Sequence, residues 1–218
     1  MKSKIYTYEN DAIKVTWDKN RCIHAAKCVE NLNSVFNTDQ KPWIQPENAS
    51  AEDVADTVEL CPTGALQYEM ITGERTEKPA SQNRITIAED GPLYISGEIE
   101  VQNPDGETIL TDTRFAFCRC GASGNKPACD NTHLEEEWTG DAKADSSNMN
   151  RVDSESHGKL LIKLMKDGPA IVEGTYVLDS PESGSVTSDK GIALCRCGGS
   201  SKKPFCDGTH FHIGFKDD

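Results

Sequence analysis

The chain has 218 residues and a formal net charge of −13 at pH 7, with 36% hydrophobic and 27% charged residues. This acidity argues against nucleic acid or an anionic membrane as a partner, and a mean hydropathy of −0.59 with only short apolar runs excludes a membrane span. The length fits one or two domains with a real core.

The cysteines indicate metal binding rather than a disulfide framework. There are nine of them, an odd number, and their spacings resemble those of metal ligands. Residues 1–13 contain no apolar stretch typical of a secretory signal. Together these observations favour a reducing cytoplasm, in which thiols stay free.

The first predicted elements surround three cysteines. Ser50 with Asp53 forms a near capping box, with Asp in place of Glu or Gln, and predicts a helix that ends at Cys61. Strands or extended pieces are expected at 11–17, 42–44 and 65–70, and a short helix at 29–36.

The cysteine spacing in this region is close to that of a ferredoxin. Bacterial ferredoxins hold a 4Fe–4S cluster with C-x2-C-x2-C and a distant Cys-Pro. Here Cys22 and Cys28 take the first and third positions and Cys61 the distant one, but Ala25 fills the middle position and cannot ligate. Three thiolates suit a 3Fe–4S cluster, or a 4Fe–4S cluster whose fourth iron takes another ligand such as His24. The alternatives are a surface imidazole for His24 and buried free thiols for the cysteines.

Residues 11–70 resemble the divergent single-cluster ferredoxin domain. The matching residues are Cys22-x-His24-Ala25-Ala26-x-Cys28, Val35-Phe36, Pro42-Trp43-Ile44 and Cys61-Pro62-Thr63-Gly64-Ala65-Leu66. The resemblance implies a small ferredoxin-like α/β domain over residues 1–72 and a role in electron transfer.

After a polar stretch at 72–83, predicted to be a linker, the chain repeats itself with a period of 77 residues. Residues 85–138 align without a gap to 162–215, with about a third of the positions identical. Each half is predicted to contain three strands, with an Asp-Gly-Pro turn after the first. Two equal units indicate a pseudo-two-fold pair that shares one core.

Each half ends in the motif C-x-C-x2-S-x3-P-x-C-D-x-T-H. The candidate metal ligands are Cys118, Cys120, Cys129 and His133 in the first motif, and Cys195, Cys197, Cys206 and His210 in the second. The two thiolates of Cys-x-Cys can chelate one iron, and a Cys and a His four residues apart on a helix share a face and could hold a second. Zinc accepts the same ligand types, but zinc fingers usually use C-x2-C or C-x4-C pairs, so the spacing favours iron–sulfur over zinc.

Both motifs resemble the CDGSH (mitoNEET-like) iron–sulfur family. Thr209 stands where that family has its name-giving serine, and Asn131 stands where it has Gly; Asn tolerates the left-handed backbone better than most residues. The resemblance implies one 2Fe–2S cluster, bound by the four ligands named above, in each of the repeats 84–138 and 159–218. Single-motif members of the family are homodimers with a β-rich cap. The tandem repeats are therefore expected to form that arrangement within one chain, which leaves a monomer as the expected state.

Further motif residues are expected to support the ligands. Asp130 and Asp207 would cap the histidine-bearing helices, and Ser123 and Ser200 would donate hydrogen bonds to cluster or ligand sulfur.

Arg119 and Arg196 are either cations beside an anionic cluster or ordinary surface charges. Residues 139–158, rich in Asp, Ser and Glu, are predicted to be an exposed connector in which His157 is solvated.

These features predict an α+β protein: a ferredoxin-like domain followed by two mainly-β CDGSH repeats that form a pseudo-dimer. The expected function is electron transfer through two 2Fe–2S clusters and one 3Fe–4S or 4Fe–4S cluster. The alternatives are a cluster donor or a redox or pH sensor, favoured by the histidine ligands, and a zinc-stapled interaction module. No nucleotide fingerprint or nucleophile elbow stands out, so we expect no independent enzyme activity. The acidic surface either suits a basic docking patch on a redox partner or only keeps the protein soluble.

Overall fold

The structure, a computed structural model, describes residues 1–153 and 158–217. His157, expected to be solvated, lies outside these residues. The chain divides into two compact units, Lys2–Lys78 and Pro79–Asp218, so both repeats belong to the second unit. Strands greatly outnumber helices. In the part of the chain described, no helix is long and apolar enough to cross a membrane.

The first unit is built on a three-stranded antiparallel sheet of order β1-β2-β3. Its elements are β1 (Ile5–Glu9), β2 (Ile13–Asp18), α1 (Lys27–Asn31), a 3-10 turn (Pro46–Asn48), α2 (Ala51–Glu59) and β3 (Leu66–Met70). The predicted capping residue begins α2, because the Ser50 hydroxyl accepts a hydrogen bond from the Asp53 amide. Val54 and Val58 on α2 are fully buried in the core of this unit.

One local prediction in this unit is wrong and another is only partly confirmed. The helix expected over 29–36 ends at Asn31, and Leu32 leaves the helical conformation, so that Val35 and Phe36 enter the core. The extended piece expected at 42–44 forms only one isolated bridge, between Phe36 and Ile44. Burial of apolar side chains thus decides the path of the chain where local propensity was weak.

The second unit contains one eight-stranded sheet of order β10-β9-β4-β5-β7-β8-β11, in which β6 pairs with β5. The strands are β4 (Arg84–Ile87), β5 (Leu93–Gln102), β6 (Thr108–Phe117), β7 (Leu160–Leu164), β8 (Ala170–Glu173), β9 (Tyr176–Ser180), β10 (Gly184–Ser188) and β11 (Ile192–Leu194). Two short helices, α3 (Thr132–Glu135) and α4 (Thr209–Ile213), follow the last strand of each repeat.

The repeats are joined by reciprocal strand pairing. Strand β4 of the first repeat lies parallel to β9 of the second, with Ile85 opposite Leu178. Strand β7 of the second repeat lies parallel to β5 of the first, with Ile162 opposite Val101. A shift of 77 residues converts one pairing into the other with its register unchanged, as a pseudo-two-fold relation between the repeats requires.

The connector between the repeats is not simply exposed. Ala142 and Ala144 are 1% and 7% exposed and belong to the core of the unit. The Ser180 hydroxyl donates to the Ala142 carbonyl at 2.5 Å, and Arg151 bridges to Ser188 on β10. The prediction of an exposed connector is therefore confirmed for most of its described residues, but it is wrong for Ala142 and Ala144, because the polar composition of the segment concealed these two small apolar residues.

Candidate metal centres

In each motif the four candidate ligands form two close pairs. The sulfur atoms of Cys118 and Cys120 are 3.6 Å apart, and the Cys129 sulfur lies 3.5 Å from His133 Nδ1. The second motif repeats this geometry at 3.6 Å for Cys195 with Cys197, and at 3.4 Å for Cys206 with His210.

In neither motif do the paired cysteine and histidine lie on one helical face, contrary to the sequence prediction. Helix α3 begins at Thr132, three residues after Cys129. Cys129 instead lies in extended backbone beside β6, where its amide donates to the Ala116 carbonyl at 2.9 Å. The extended segment thus contributes one candidate ligand and the helix the other. The second motif has the same arrangement, since the Cys206 amide donates to the Ala193 carbonyl at 2.8 Å.

A carboxylate ties the first turn of each helix to the loop between the cysteines. Asp130 Oδ1 accepts from the Thr132 amide at 3.1 Å and from its hydroxyl at 2.6 Å, while Oδ2 accepts from the Gly124 amide at 2.8 Å. Burial would raise the pKa of the Asp130 carboxyl, but these hydrogen bonds outweigh it and lower that pKa. Asp207 accepts the corresponding bonds from Thr209 and Ser201.

The aspartates cap the helices as predicted, since each accepts from the first helical amide, but they stand one residue before the N-cap position. The cap positions are Asn131 and Gly208, both in the left-handed region with φ of 73° and 89°. This backbone conformation suits Asn and Gly, because both tolerate the left-handed region better than most residues.

The prediction that Ser123 and Ser200 donate to sulfur is wrong. The Ser123 hydroxyl donates to the Ala128 carbonyl at 2.7 Å and accepts from the Asn125 amide at 3.0 Å. Ser200 makes the same type of bond to the Phe205 carbonyl at 2.7 Å. Both serines therefore close the loop that surrounds the ligands. The Cys120 sulfur instead accepts from a backbone amide, that of Ala122, at 3.4 Å.

The two motif arginines are buried anchors, so the reading as ordinary surface charge is wrong. Arg119 and Arg196 are only 3% and 4% exposed. Arg119 donates to the carbonyls of Ala88 and Gly91 in the Asp-Gly-Pro turn, and Arg196 binds the corresponding carbonyls in the second repeat. The guanidinium groups thus fix this turn to the Cys-x-Cys segment.

The two motifs meet at a pair of glycines that the sequence interpretation did not single out. Gly121 and Gly198 have φ of +79° and +73°, and each packs against the other motif. A Cβ at Gly121 would lie 2.7 Å from the Cys197 carbonyl, and a Cβ at Gly198 would lie 2.7 Å from the carbonyl carbon of Cys120. The signal available in the sequence was the glycine that follows Cys-x-Cys in both halves.

Burial affects the protonation of two candidate ligands, His133 and Cys129, in the metal-free protein. His133 and His210 are 7% and 6% exposed. Burial lowers the pKa of the His133 imidazole, which favours the neutral form that a metal requires. Burial also raises the pKa of the Cys129 thiol to about 11, so metal binding would have to displace that proton.

The three N-terminal cysteines line one cavity of about 560 Å³. Burial, followed by the neighbouring Cys61 and Cys22, raises the pKa of the Cys28 thiol to about 11. Ala25 lies in the same cavity wall, as its position in the cysteine pattern suggested. His24 also lies in that wall, with an exposed side chain and a backbone φ of 53°.

The comparisons with known proteins agree with these centres. Residues 8–70 match the family described as a divergent 4Fe-4S mono-cluster, and residues 90–134 and 167–211 match the family described as an iron-binding zinc finger of CDGSH type. Residues 8–70 thus belong to the first family and the two repeats to the second. The family matches support an iron-binding protein with tandem CDGSH repeats and a divergent 4Fe-4S domain.

The chain also resembles a protein described as "Uncharacterized protein YjdI" from Escherichia coli strain K12 and from Escherichia coli O157:H7. In both cases identity is 34% over 61 residues, which is 28% of this chain and 80% of YjdI. No solved structure matches the chain significantly.

Proposed function

We propose that this protein transfers electrons through three iron–sulfur clusters. Each CDGSH repeat would hold one 2Fe–2S cluster through three cysteines and one histidine. Cys22, Cys28 and Cys61 would hold one 3Fe–4S or 4Fe–4S cluster. The observation that carries the proposal is the division of each CDGSH ligand set into two close pairs.

This division favours a two-iron cluster over a single zinc ion. A tetrahedral zinc ion, with bonds of about 2.3 Å to sulfur and 2.0–2.1 Å to nitrogen, brings all four ligand atoms to within about 3.5–3.8 Å of one another. Here that spacing occurs within the pairs, at 3.6 Å for Cys118 with Cys120 and 3.5 Å for Cys129 with His133. Over residues 1–153 and 158–217, no three His, Cys, Asp or Glu side chains converge on a single-ion site. Two separate pairs suit two irons.

The N-terminal cavity supports a cluster that is held by three thiolates. Three cysteines and Ala25 line it together, so three irons of the cluster would take thiolate ligands. The volume of about 560 Å³ leaves room for a polynuclear group rather than a lone ion.

A bound iron–sulfur cluster supplies one-electron redox chemistry at a potential set by its ligands, charge and hydrogen bonds. In the CDGSH repeats a neutral histidine replaces one thiolate, which makes the site less negative and should raise its potential above that of an all-cysteine centre. The Ala122 amide, which donates to the Cys120 sulfur at 3.4 Å, acts in the same direction.

The proposal gives the chain no catalytic residue of its own, and electrons would pass to separate redox proteins. The formal charge of −13 supports a partner with a basic docking patch, because complementary charge accelerates association. Rates of electron exchange with such a partner should fall as the salt concentration rises.

Repeated redox cycling tests transfer of electrons against transfer of clusters. The anaerobic protein would be reduced with dithionite and reoxidised several times in the presence of an apo-ferredoxin, and the iron and sulfide on both proteins measured afterwards. A carrier retains its iron and sulfide through every cycle. Loss of iron and sulfide to the apo-ferredoxin at a rate comparable with electron exchange would overturn the carrier role and favour a cluster donor.

A further inference from the structure

Two tryptophans in the N-terminal unit have buried donor groups without acceptors. The indole Nε1 atoms of Trp17 and Trp43 have essentially no exposed surface and make no hydrogen bond to any residue that the structure describes. Burial raises the pKa of the Tyr8 hydroxyl, and the nearby Trp43 indole acts to lower it, but the two groups do not meet the geometry of a hydrogen bond. Trp17 is therefore the clearer case.

Both indoles line the same cavity as Cys22, Cys28 and Cys61. Trp17 lies on β2, opposite Leu66 on β3. Trp43 crosses it edge to face, with ring centroids 4.9 Å apart and an angle of 76° between the ring planes. Two donors are thus held, by a strand and by ring packing, beside three thiols.

An indole N–H can only donate, and native proteins seldom leave a buried donor unpaired. We propose that the Trp17 indole, with that of Trp43, donates its N–H to a sulfur atom of the cluster held by the three cysteines. The inference rests on the proposed function, since it takes this cavity as the cluster site. Cluster sulfide and cysteine thiolate can both accept a hydrogen bond, so either would satisfy the two indole N–H donors.

Such hydrogen bonds would raise the potential of the cluster. Reduction adds negative charge to the cluster, and a donor bonded to sulfur stabilises the more negative state more strongly than the oxidised one. Trp17 and Trp43 would then act as positioning and tuning residues without binding iron themselves. The competing explanation is that the N–H of one indole points at the face of the other ring.

Substitution by Phe keeps an aromatic ring and removes the N–H. The full-length variants Trp17→Phe and Trp43→Phe would be compared with Trp138→Phe, which alters the only other tryptophan in the sequence. Trp138 belongs to the other unit, and its indole contacts the Gly198 carbonyl at 3.4 Å, so it has an acceptor in the protein. The measurement is an EPR-monitored redox titration of the N-terminal cluster, whose signal differs from those of 2Fe–2S centres.

Trp17→Phe should lower the ratio of reduced to oxidised N-terminal cluster about tenfold at a fixed potential, a shift of about 59 mV for one electron. Trp43→Phe should shift it in the same direction, and Trp138→Phe should leave it unchanged. If the cluster is present and both Trp17→Phe and Trp43→Phe titrate like wild type, the inference is wrong. If iron and sulfide assays find no cluster at this site in the wild type, the proposed function itself fails there.

A measurement on the wild-type protein avoids dependence on the folding of the variants. Pulsed EPR on protein with ¹⁵N-labelled tryptophan should detect a coupling between the N-terminal cluster and an exchangeable indole N–H. The coupling should lose its proton contribution in D₂O. A loaded cluster with no indole coupling would contradict the hydrogen bond directly.

Discussion

The two CDGSH repeats hold their candidate ligands alike but are supported by different parts of the chain. The cysteine pairs are 3.6 Å apart in both motifs. Arg119 extends its contacts to the carbonyls of Gly140 and Asp141 in the connector, whereas Arg196 forms an ion pair with Asp217 near the C-terminus. The motif itself therefore sets the geometry of the candidate ligands. The segment that follows each motif supplies further contacts to the buried arginine of that motif.

The strands that lead into the motifs differ in the same way. The first repeat has one continuous strand, Thr108–Phe117, before its cysteines, while the second has two, Gly184–Ser188 and Ile192–Leu194. The connector bridges to Ser188 at the end of the first of these two strands. The pseudo-two-fold symmetry is thus strict at the ligands and at the shared strands, and it is lost where the connector packs.

The largest expected effect comes from the glycines through which the motifs meet. Gly121→Ala places a methyl group 2.7 Å from the Cys197 carbonyl, so both loops must move. We expect most of the iron to be lost from both repeats, and a fall in stability of several kcal/mol from overpacking and backbone strain. Iron and sulfide assays and thermal unfolding measure the two effects.

Gly106→Ala is the matched control for this substitution. Gly106 has a similar φ of +83°, but nothing lies within 4 Å of an added Cβ. The Gly106→Ala variant should lose only about 1–2 kcal/mol in the free energy of unfolding and should keep its iron. Equal iron content in the Gly121 and Gly106 variants would contradict the close approach of the two motifs.

Breaking the ion pair that is found in the second repeat alone should have the next largest effect. The side chains of Arg196 and Asp217 are only 3% and 11% exposed. Asp217→Ala leaves a buried cation unpaired and should lower the free energy of unfolding by about 3–5 kcal/mol. Glu173→Ala, which breaks an exposed pair with Lys163, should cost less than about 1 kcal/mol. Thermal unfolding of both variants tests this. Equal changes in the free energy of unfolding would show that the Arg196–Asp217 pair stabilises the protein no more than an exposed pair does.

Exchange of the histidine ligands should change the acid sensitivity of both repeats. Metal binding requires neutral imidazole, so clusters should be lost as the pH falls, whereas a bound thiolate resists protonation. His133→Cys and His210→Cys should each move the midpoint of cluster loss at that site to lower pH by about one unit, or about 1.4 kcal/mol. Visible absorbance during acid titration measures it, and unchanged midpoints would show that the histidines do not control cluster release.

The burial of His133 also leads to a prediction of how the stability of the metal-free protein depends on pH. Its pKa is lowered by burial, so the unfolded chain binds a proton that the folded chain excludes. Stability should therefore decrease as the pH falls below about 6.5, the ordinary pKa of histidine, and His133→Gln should reduce that dependence. Thermal unfolding of the apo-protein across this pH range checks the sign, and an increase in stability at lower pH would contradict it.

The smallest effect is expected at the cap position where the repeats differ in sequence. Asn131 and Gly208 share the left-handed conformation, and nothing lies within 4 Å of a Cβ at Gly208. Gly208→Asn should change stability by less than about 0.5 kcal/mol and leave the iron content unchanged. Gly208→Val should cost about 1–2 kcal/mol because a β-branched residue is strained there. A large loss of iron in Gly208→Asn would mean that the two caps are not equivalent.

Repetition and spacing made much of this arrangement predictable from the sequence. A fixed 77-residue offset identified the repeats, and the recurring motif identified the ligand candidates that the structure brings into pairs. The helix start at Ser50 followed from local hydrogen bonding, which sequence patterns encode directly. These features depend on residues close together in the chain.

Other features depend on contacts that a local pattern does not contain. Whether Ser123 donates to sulfur or to the Ala128 carbonyl is decided by the path of the loop, and the sequence is the same in either case. Arg119 is buried because a turn about 30 residues earlier in the chain supplies its acceptors. The parallel pairing of β4 with β9 likewise joins segments far apart in sequence. The glycine after Cys-x-Cys was visible, but its function appears only when the second motif is placed against the first.

The most direct test of the central claim is a metal and sulfide count on the full-length chain with Cys22, Cys28 and Cys61 changed to Ser. The protein would be purified without oxygen and examined by EPR after dithionite reduction. Two 2Fe–2S clusters predict about four irons and four sulfides per chain, with a 2Fe–2S signal on reduction. About two zinc ions per chain without sulfide would contradict the electron-transfer account and leave a zinc-stapled module.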